Sequence, residues 1–180
     1  MIVGWRISKL KYAQPPSAAF DGEGARRRGG RWSAADNRVA YASSSLALAA
    51  MEYFVNLDPR DAPADLVAIQ VEIPDHVTTE RIAIDKLPDN WKQRPYSTKL
   101  QQIGAAWLSG RFSACLMVTS VVIPQETNLL INPDHPDFSK LIFQPPKQRR
   151  IAQRRQDATR NCTCKVTDDN VLQALPYSGR

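Results

Sequence analysis

Residues 29–54 read GGRWSAADNRVAYASSSLALAAMEYF and decide much of the fold. The first half holds two short segments of β-strand type, GRW and RVAYA, separated by the turn-like SAADN. Three serines then offer N-cap side chains for an apolar helix, which we expect to run to about Asn56 and to stop before Asp58-Pro59. Between residues 46 and 55 the only charged residue is Glu52.

Further strands and one more helix follow from the pattern of the remaining sequence. Alternating apolar residues predict a strand over residues 1–7, and β-prone runs predict strands over 65–74 and 115–124. The segments NLLINP and KLIFQPP predict shorter strands, and LQQIGAAWLSGRF (100–112) a second helix. We expect a loop over 13–30 and mostly loop over 75–98. This mixed order predicts an α+β fold with a largely antiparallel sheet.

The charge of the chain divides it into two parts. The net charge is +6, but residues 147–180 contain eight Lys/Arg and three Asp/Glu, which leaves 16 basic and 15 acidic residues in 1–146. We therefore expect a folded domain over 1–146 and a basic, partly disordered tail over 147–180. The nearly neutral folded part argues against a nucleic-acid-binding domain.

Targeting and metal-binding signals are weak. The longest apolar runs are near ten residues, so no membrane span is expected, and the N-terminal MIVGWRISKLKY lacks the pattern of a secretory signal. Three cysteines make no disulfide framework, which favours a cytoplasmic location. Cys162 and Cys164 are too few ligands for a structural zinc site, so no metal is expected. The sequence also has no G-x-G-x-x-G motif and no P-loop.

Glu52 is the first candidate for chemistry. At helical spacing it shares a face with Leu48 and Val55, so its surroundings on the helix are apolar. A buried carboxylate needs a partner, because leaving it unpaired costs several kcal/mol. Glu52 therefore forms a structural ion pair, for example with Arg6 or Arg31, or lies on a solvent-facing edge of the helix, or is an active-site carboxylate at the bottom of a pocket.

Other candidates have equally plain structural alternatives. Arg31 follows two glycines and suits a phosphate or a diphosphate, or it is an ordinary arginine at a strand end. Tyr41 is a ligand contact or a core residue. Ser120 lies in an apolar strand and needs a hydrogen-bond partner, which the backbone also supplies. His135 is interpreted as a turn or cap residue and His76 as a surface residue.

Several segments together resemble one known family. The segments GGRW, VAYASSSLALAAMEYF, LPDNW, GAAWL and VTSVVIPQETNLLINPDHPDF look like the RES domain, named for Arg, Glu and Ser residues. The resemblance covers about residues 4–143, and residues 1–146 are therefore interpreted as the RES domain. Two departures stand out: Thr119 precedes Ser120 where the family has proline, and the sequence after residue 146 does not follow the family pattern.

The resemblance implies a fold, an activity and a partner. Members resemble ADP-ribosyltransferases in fold, consume NAD as a substrate, and are toxins paired with an Xre-type helix-turn-helix antitoxin. Carried over, Glu52 would bind the ribose hydroxyls, Arg31 the phosphate, Tyr41 the nicotinamide, and Ser120 would fix the geometry of the substrate. No separate cofactor is implied. Such a toxin would deplete cellular NAD and arrest growth.

Several functional alternatives remain open at this point. The acceptor of the ADP-ribosyl group could be water, inorganic phosphate or a protein side chain, since all three share the first step. A different class of function, nucleic-acid binding through the basic tail, would show affinity that falls steeply with salt. A third possibility is an inactive relic that still binds its antitoxin, which the unusual tail allows.

Overall fold

A computed structural model describes residues 1–57, 63 and 65–148 of the chain. Three α-helices in these ranges are α1 (Glu23–Arg28), α2 (Leu46–Phe54) and α3 (Thr98–Gly110). Eight strands are described: β1 (Ile2–Lys9), β2 (Ala40–Ser43), β3 (Leu66–Ile73), β4 (Thr79–Arg81), β5 (Cys115–Thr119), β6 (Thr127–Ile131), β7 (Ile142–Phe143) and β8 (Lys147–Gln148).

All the strands belong to one sheet. Their order is β4-β5-β6-β2-β1-β3-β7, and β8 pairs with β3 as well. The β4–β5 pair is parallel, and the other described pairs are antiparallel. The longest pairing joins β1 to β3 over eight residue pairs, from Ile2↔Ile73 to Lys9↔Leu66. The prediction of an α+β fold with a mainly antiparallel sheet is confirmed.

The hydrophobic core lies on both faces of this sheet. In β6, Leu129 and Ile131 point into one cluster and Leu130 points into the other, as the two-residue period of a strand requires. The first cluster includes four alternate residues of β3: Val67, Ile69, Val71 and Ile73. The second gathers the three buried tryptophans around α3: Trp32, Trp91 and Trp107. Burying each large side chain contributes about 1.5–3 kcal/mol to folding.

Helix α2 begins where the serine run predicts. The Ser45 hydroxyl accepts a hydrogen bond from the Leu48 backbone N–H at 3.0 Å, which caps the helix. Leu48 and Ala49 are buried, whereas Met51 and Val55 are about half exposed. The helix therefore packs through one narrow stripe, against β1 and β2, and turns its other sides to solvent and to the cleft described below.

Three local predictions were wrong. GRW forms no strand: Trp32 is 3% exposed because tertiary packing against α3 holds it, and its carbonyl lies against Gly104. Residues 23–28 form a helix instead of a loop, stabilised by the Arg26–Glu23 ion pair at 2.9 Å. The strand predicted over 115–124 ends at Thr119, where a turn begins.

The end of the sheet reaches slightly into the basic segment. Lys147 and Gln148 form β8 and pair with Ala68 and Val67 of β3. The predictions for the rest of the tail, including partial disorder and the Cys162/Cys164 pair, lie outside the described residues. Within the described ranges, none of the helices is long and apolar enough to cross a membrane.

The approach of α3 to Trp32 gives a stability prediction. A Cβ atom on Gly104 would lie 1.7 Å from the Trp32 carbonyl oxygen, whereas a Cβ on Gly24 would meet nothing within 4 Å. We expect Gly104→Ala to lower the free energy of unfolding by about 1–3 kcal/mol or more. Gly24→Ala, the matched control, should leave it unchanged or raise it by up to about 1 kcal/mol. Urea unfolding monitored by tryptophan fluorescence measures both, and equal stabilities would contradict the packing.

Candidate active site

A cleft of about 660 Å³ opens between β1, β2, α2 and the segment 92–96. Arg31, Tyr41 and Glu52 line it, so the structure brings three of the four candidate residues together. The fourth, Ser120, is fully buried and contacts the Glu52 carboxylate. The cleft is thus the one place where the candidate side chains from four separate segments meet.

The Glu52 carboxylate is held by two neutral donors. The Ser120 hydroxyl donates to Glu52 Oε1 at 2.8 Å, and the Asn128 side-chain amide donates to the same oxygen at 2.6 Å. No arginine, lysine or histidine nitrogen of the described residues lies within 4.0 Å of this carboxylate. The structural ion pair with Arg6 or Arg31 is therefore not formed in this part of the chain.

Ser120 does more than contact Glu52. Its hydroxyl also accepts hydrogen bonds from the backbone N–H groups of Val122 and Ile123, both at 3.1 Å. These bonds close the turn after β5, which is why the strand ends earlier than its β-prone sequence predicts. Since both lone pairs are taken by the backbone, the hydroxyl proton is directed to the carboxylate. Ser120 therefore fixes both the turn and the position of Glu52.

The position of Tyr41 explains why residue 30, the second of the two glycines, has no side chain. Its hydroxyl lies 3.2 Å from Ser33 Oγ, and a Cβ on Gly30 would come within 2.7 Å of the Tyr41 oxygen. Gly29 has φ +68°, a left-handed conformation that glycine adopts without strain. Burial raises the pKa of Tyr41, so the phenol stays protonated and serves as a neutral donor or apolar ring.

The Arg31 guanidinium contacts the segment 91–96. Its Nη1 donates to the carbonyl oxygens of Trp91 and of Gln93, the latter at 3.2 Å, and its Nη2 donates to the Lys92 carbonyl at 3.4 Å. The guanidinium also lies over the Tyr96 ring at 4.9 Å. Burial lowers the pKa of Arg31, although an arginine remains charged at neutral pH. The contact orders residues 91–96 along the rim of the cleft.

Arg6 is a cleft residue that the sequence reasoning considered only as a partner for Glu52. Its Nη1 donates to the Tyr41 carbonyl at 2.6 Å, and its buried Nε has no hydrogen-bond partner among the described residues. Burial lowers its pKa, opposed by the charge of Asp21. A desolvated guanidinium with an unused donor is a favourable place for an anionic group of a ligand.

The charge of the cleft is strongly unbalanced. Glu52 is the only acidic residue among the described residues that line it. Six cations line the same cleft: Arg6, Lys9, Arg28, Arg31, Lys92 and Arg94. Such an excess of positive charge attracts an anionic ligand and concentrates it near the single carboxylate.

Two polar residues at the site escaped the sequence reasoning. Asn128 contacts Glu52, and the Ser43 hydroxyl donates to Asn128 Oδ1 at 2.8 Å. Asn128 begins a strand that the sequence predicts, and a polar residue next to an apolar run was a usable signal. Its partner could not be read from the sequence, because it depends on strand register.

The histidines have the roles expected of them. His135 caps the short 3-10 helix Pro136–Lys140 by accepting from the Asp137 N–H at 3.0 Å, and His76 is exposed. The part of the chain that the structure describes contains no cluster of three or more metal-binding side chains. Neither histidine is among the residues that line the cleft.

Comparison with known sequences assigns the family. A model of the RES domain matches residues 3–154. The chain belongs to the RES domain family. A "Prs ADP-ribosylating toxin" from Sphingobium sp. is 39% identical over 66% of this chain and 74% of its own length. A "Toxin Res" from Photorhabdus laumondii is 31% identical over 77% of this chain and 86% of its own, and one from Pseudomonas putida is 34% identical over 78% and 90%.

A solved structure has a similar fold. A chain of the M. tuberculosis MbcT-MbcA toxin-antitoxin complex superposes with a TM-score of 0.62 and 14% sequence identity. The match covers 81% of this chain and 82% of the other. At this identity the likeness establishes the fold alone, so the chemistry has to be inferred from the residues of the cleft.

The carbonyl contacts of Arg31 give a prediction about residues 91–96. A lysine cannot present the forked donors of a guanidinium or stack on Tyr96 in the same way. In Arg31→Lys we therefore expect trypsin to cleave after Lys92 at least several times faster than in the wild type. Mass spectrometry of timed digests locates and times the cut. Arg28→Lys is the control, since Arg28 is exposed; equal cleavage in both variants would show that Arg31 does not order this segment.

Proposed function

We propose that this RES domain protein is the toxin of a bacterial toxin–antitoxin pair and cleaves NAD at the nicotinamide–ribose bond. The observation that carries the proposal is the Glu52 carboxylate, held by neutral donors in a cleft of otherwise positive charge. The similarity to proteins named as toxins supports the biological role.

The reaction requires little acid catalysis. The C–N bond between ribose C1′ and the pyridinium nitrogen breaks, its electron pair goes to that nitrogen, and neutral nicotinamide leaves. The ribose then carries oxocarbenium-like positive charge, as in glycoside hydrolysis. An acceptor oxygen forms the new bond to C1′ and releases its proton. A fixed anion beside the ribose stabilises this charge, which is the part we assign to Glu52.

The cations of the cleft suit the rest of NAD. The diphosphate is dianionic, and guanidinium groups bind such oxygens through paired hydrogen bonds. In the part of the chain that the structure describes, the buried Nε of Arg6 has no partner, while most donors of Arg31 contact backbone carbonyls. We therefore assign the diphosphate to the cationic cleft as a whole, with Arg31 both lining it and ordering its rim. The protonated Tyr41 ring is suited to border the nicotinamide.

The acceptor distinguishes three activities. Water would make the protein an NAD glycohydrolase, and inorganic phosphate an NAD phosphorylase. Transfer to a protein side chain is the second candidate function, favoured by the relative named "Prs ADP-ribosylating toxin". An antitoxin partner is proposed from the toxin–antitoxin complex with the same fold, and the RES resemblance implies the Xre type.

The decisive test is NAD consumption by the purified full-length chain. Glu52→Gln keeps the shape of the side chain but removes its charge, so we expect kcat to fall by about 100-fold or more. Glu72→Gln is the control: this carboxylate lies on β3, outside the cleft, and accepts from Gln70 and Gln144. It should retain wild-type activity. Chromatography of the products with and without phosphate identifies the acceptor.

The other results are equally informative. ADP-ribose indicates hydrolysis, and an ADP-ribose phosphate ester formed only with phosphate indicates phosphorolysis. If folded protein leaves NAD intact, adding a cell lysate with labelled NAD tests for a modified protein. No consumption and no labelling would contradict the proposed function. Glu52→Gln retaining full activity would contradict the site.

A further inference from the structure

Asn128 and Ser43 form a pair opposite each other on neighbouring strands. The two residues are register partners in the antiparallel β2–β6 pairing, so their side chains emerge on the same face of the sheet. The Ser43 hydroxyl donates to Asn128 Oδ1 at 2.8 Å, and Asn128 Nδ2 donates to Glu52 Oε1 at 2.6 Å. Both residues line the cleft. A chain of hydrogen bonds therefore runs from β2 through β6 to α2.

The orientation of the Asn128 amide follows from its neighbours. An ionised carboxylate only accepts hydrogen bonds, so the NH2 group of the amide must face Glu52 and its oxygen must face away. Ser43 supplies the donor that this oxygen needs. Reversing the amide would set its oxygen against the carboxylate. The amide is therefore held in one orientation from both sides.

The two donors divide the functions of the carboxylate oxygens. Ser120 and Asn128 both bind Oε1, while Oε2 accepts no hydrogen bond from the described residues. Oε1 is thus the anchored oxygen, and Oε2 is the one free to meet a substrate. Because both donors are neutral, they fix the carboxylate without cancelling its charge, as a paired arginine or lysine would do.

We propose that Asn128 is a positioning residue for Glu52 and that Ser43 orients its amide. This proposal rests on the proposed cleavage of NAD and names a residue pair that acts in it through Glu52. The amide keeps the carboxylate at the place where positive charge develops on the ribose. Its effect therefore belongs to the transition state and appears in kcat more than in KM.

The test compares Asn128→Asp with Asn128→Ala. If Asn128 only fills space, Asn128→Asp should be the milder substitution; if Asn128 positions Glu52, Asn128→Asp should be the more severe one. Asn128→Asp is isosteric but places a second carboxylate against Glu52, whereas Asn128→Ala removes the donor and leaves space. For a positioning residue we expect kcat for NAD to fall about 10- to 100-fold in Asn128→Ala and further in Asn128→Asp. KM should change by less than about threefold in Asn128→Ala. Ser43→Ala should lower kcat less than Asn128→Ala does.

Asn132 provides the matched control. It is a second asparagine of the same sheet region, buried directly after β6, and its Oδ1 accepts from the Asp134 N–H at 3.0 Å, outside the cleft lining. Asn132→Ala should lower stability but leave kcat unchanged. Melting temperatures of all variants separate loss of folding from loss of positioning. Higher activity in Asn128→Asp than in Asn128→Ala would overturn the proposal, as would a large rise in KM with kcat unchanged.

A second measurement does not depend on the reaction. The side-chain amide resonances of Asn128, assigned by NMR, should move when Glu52 is replaced by alanine, while those of Asn132 should not. Unmoved Asn128 resonances would overturn the inference even in an active protein. Absence of both NAD consumption by the wild type and labelling of a lysate protein would instead contradict the proposed function, so the two failures are distinguishable.

Discussion

The site depends on a carboxylate that is anchored without being neutralised. Glu52 comes from α2, and its two donors come from the turn after β5 and from the start of β6. All three elements must therefore be correctly placed before Glu52 Oε1 receives its hydrogen bonds. In an enclosed site an ion pair would hold the side chain as well, but the cation of the protein would neutralise the charge of the carboxylate. Neutral donors leave that charge for a ligand.

The cations that surround Glu52 are close enough to repel one another. Among the described lining residues, six positive side chains surround one carboxylate, and they repel one another when the cleft holds no anion. Part of this charge is accommodated by the backbone and by an aromatic ring: Arg31 binds carbonyl oxygens, and the guanidinium groups of Arg31 and Arg94 lie 4.9 and 5.4 Å from the centre of the Tyr96 ring. Carbonyl dipoles and ring faces attract a cation without a formal negative charge. The cleft thus stays electropositive.

Local chemistry made much of this readable from the sequence. Ser45 as a helix cap, His135 as a turn cap and the strands around residues 66–73 and 127–131 were all predicted, because each depends on near neighbours in the chain. Glu52 stood out because its helix is otherwise apolar. The contact with Asn128 was not predictable, since 76 residues separate the two and the contact depends on both the β2–β6 register and the packing of α2 against β1 and β2. The failed GRW strand has the same cause: packing against α3 overrode a local preference.

Arg31 lies in the cleft as its Gly-Gly-Arg motif suggests, but the contacts that the structure shows for its guanidinium are with the backbone. A Gly-Gly-Arg segment suggests an arginine exposed for phosphate, yet Gly30 is small because Tyr41 lies against it, and Arg31 turns its donors to the backbone of 91–93. Three carbonyl oxygens use three of the five N–H donors of this guanidinium, so its Nε–H and one Nη2–H remain for an anion. Arg6, desolvated and with an unpartnered Nε among the described residues, has the stronger unmet need for one. The phosphate contact of Arg31 therefore stays a prediction, and Arg6 on β1 adds a second guanidinium to the same cleft.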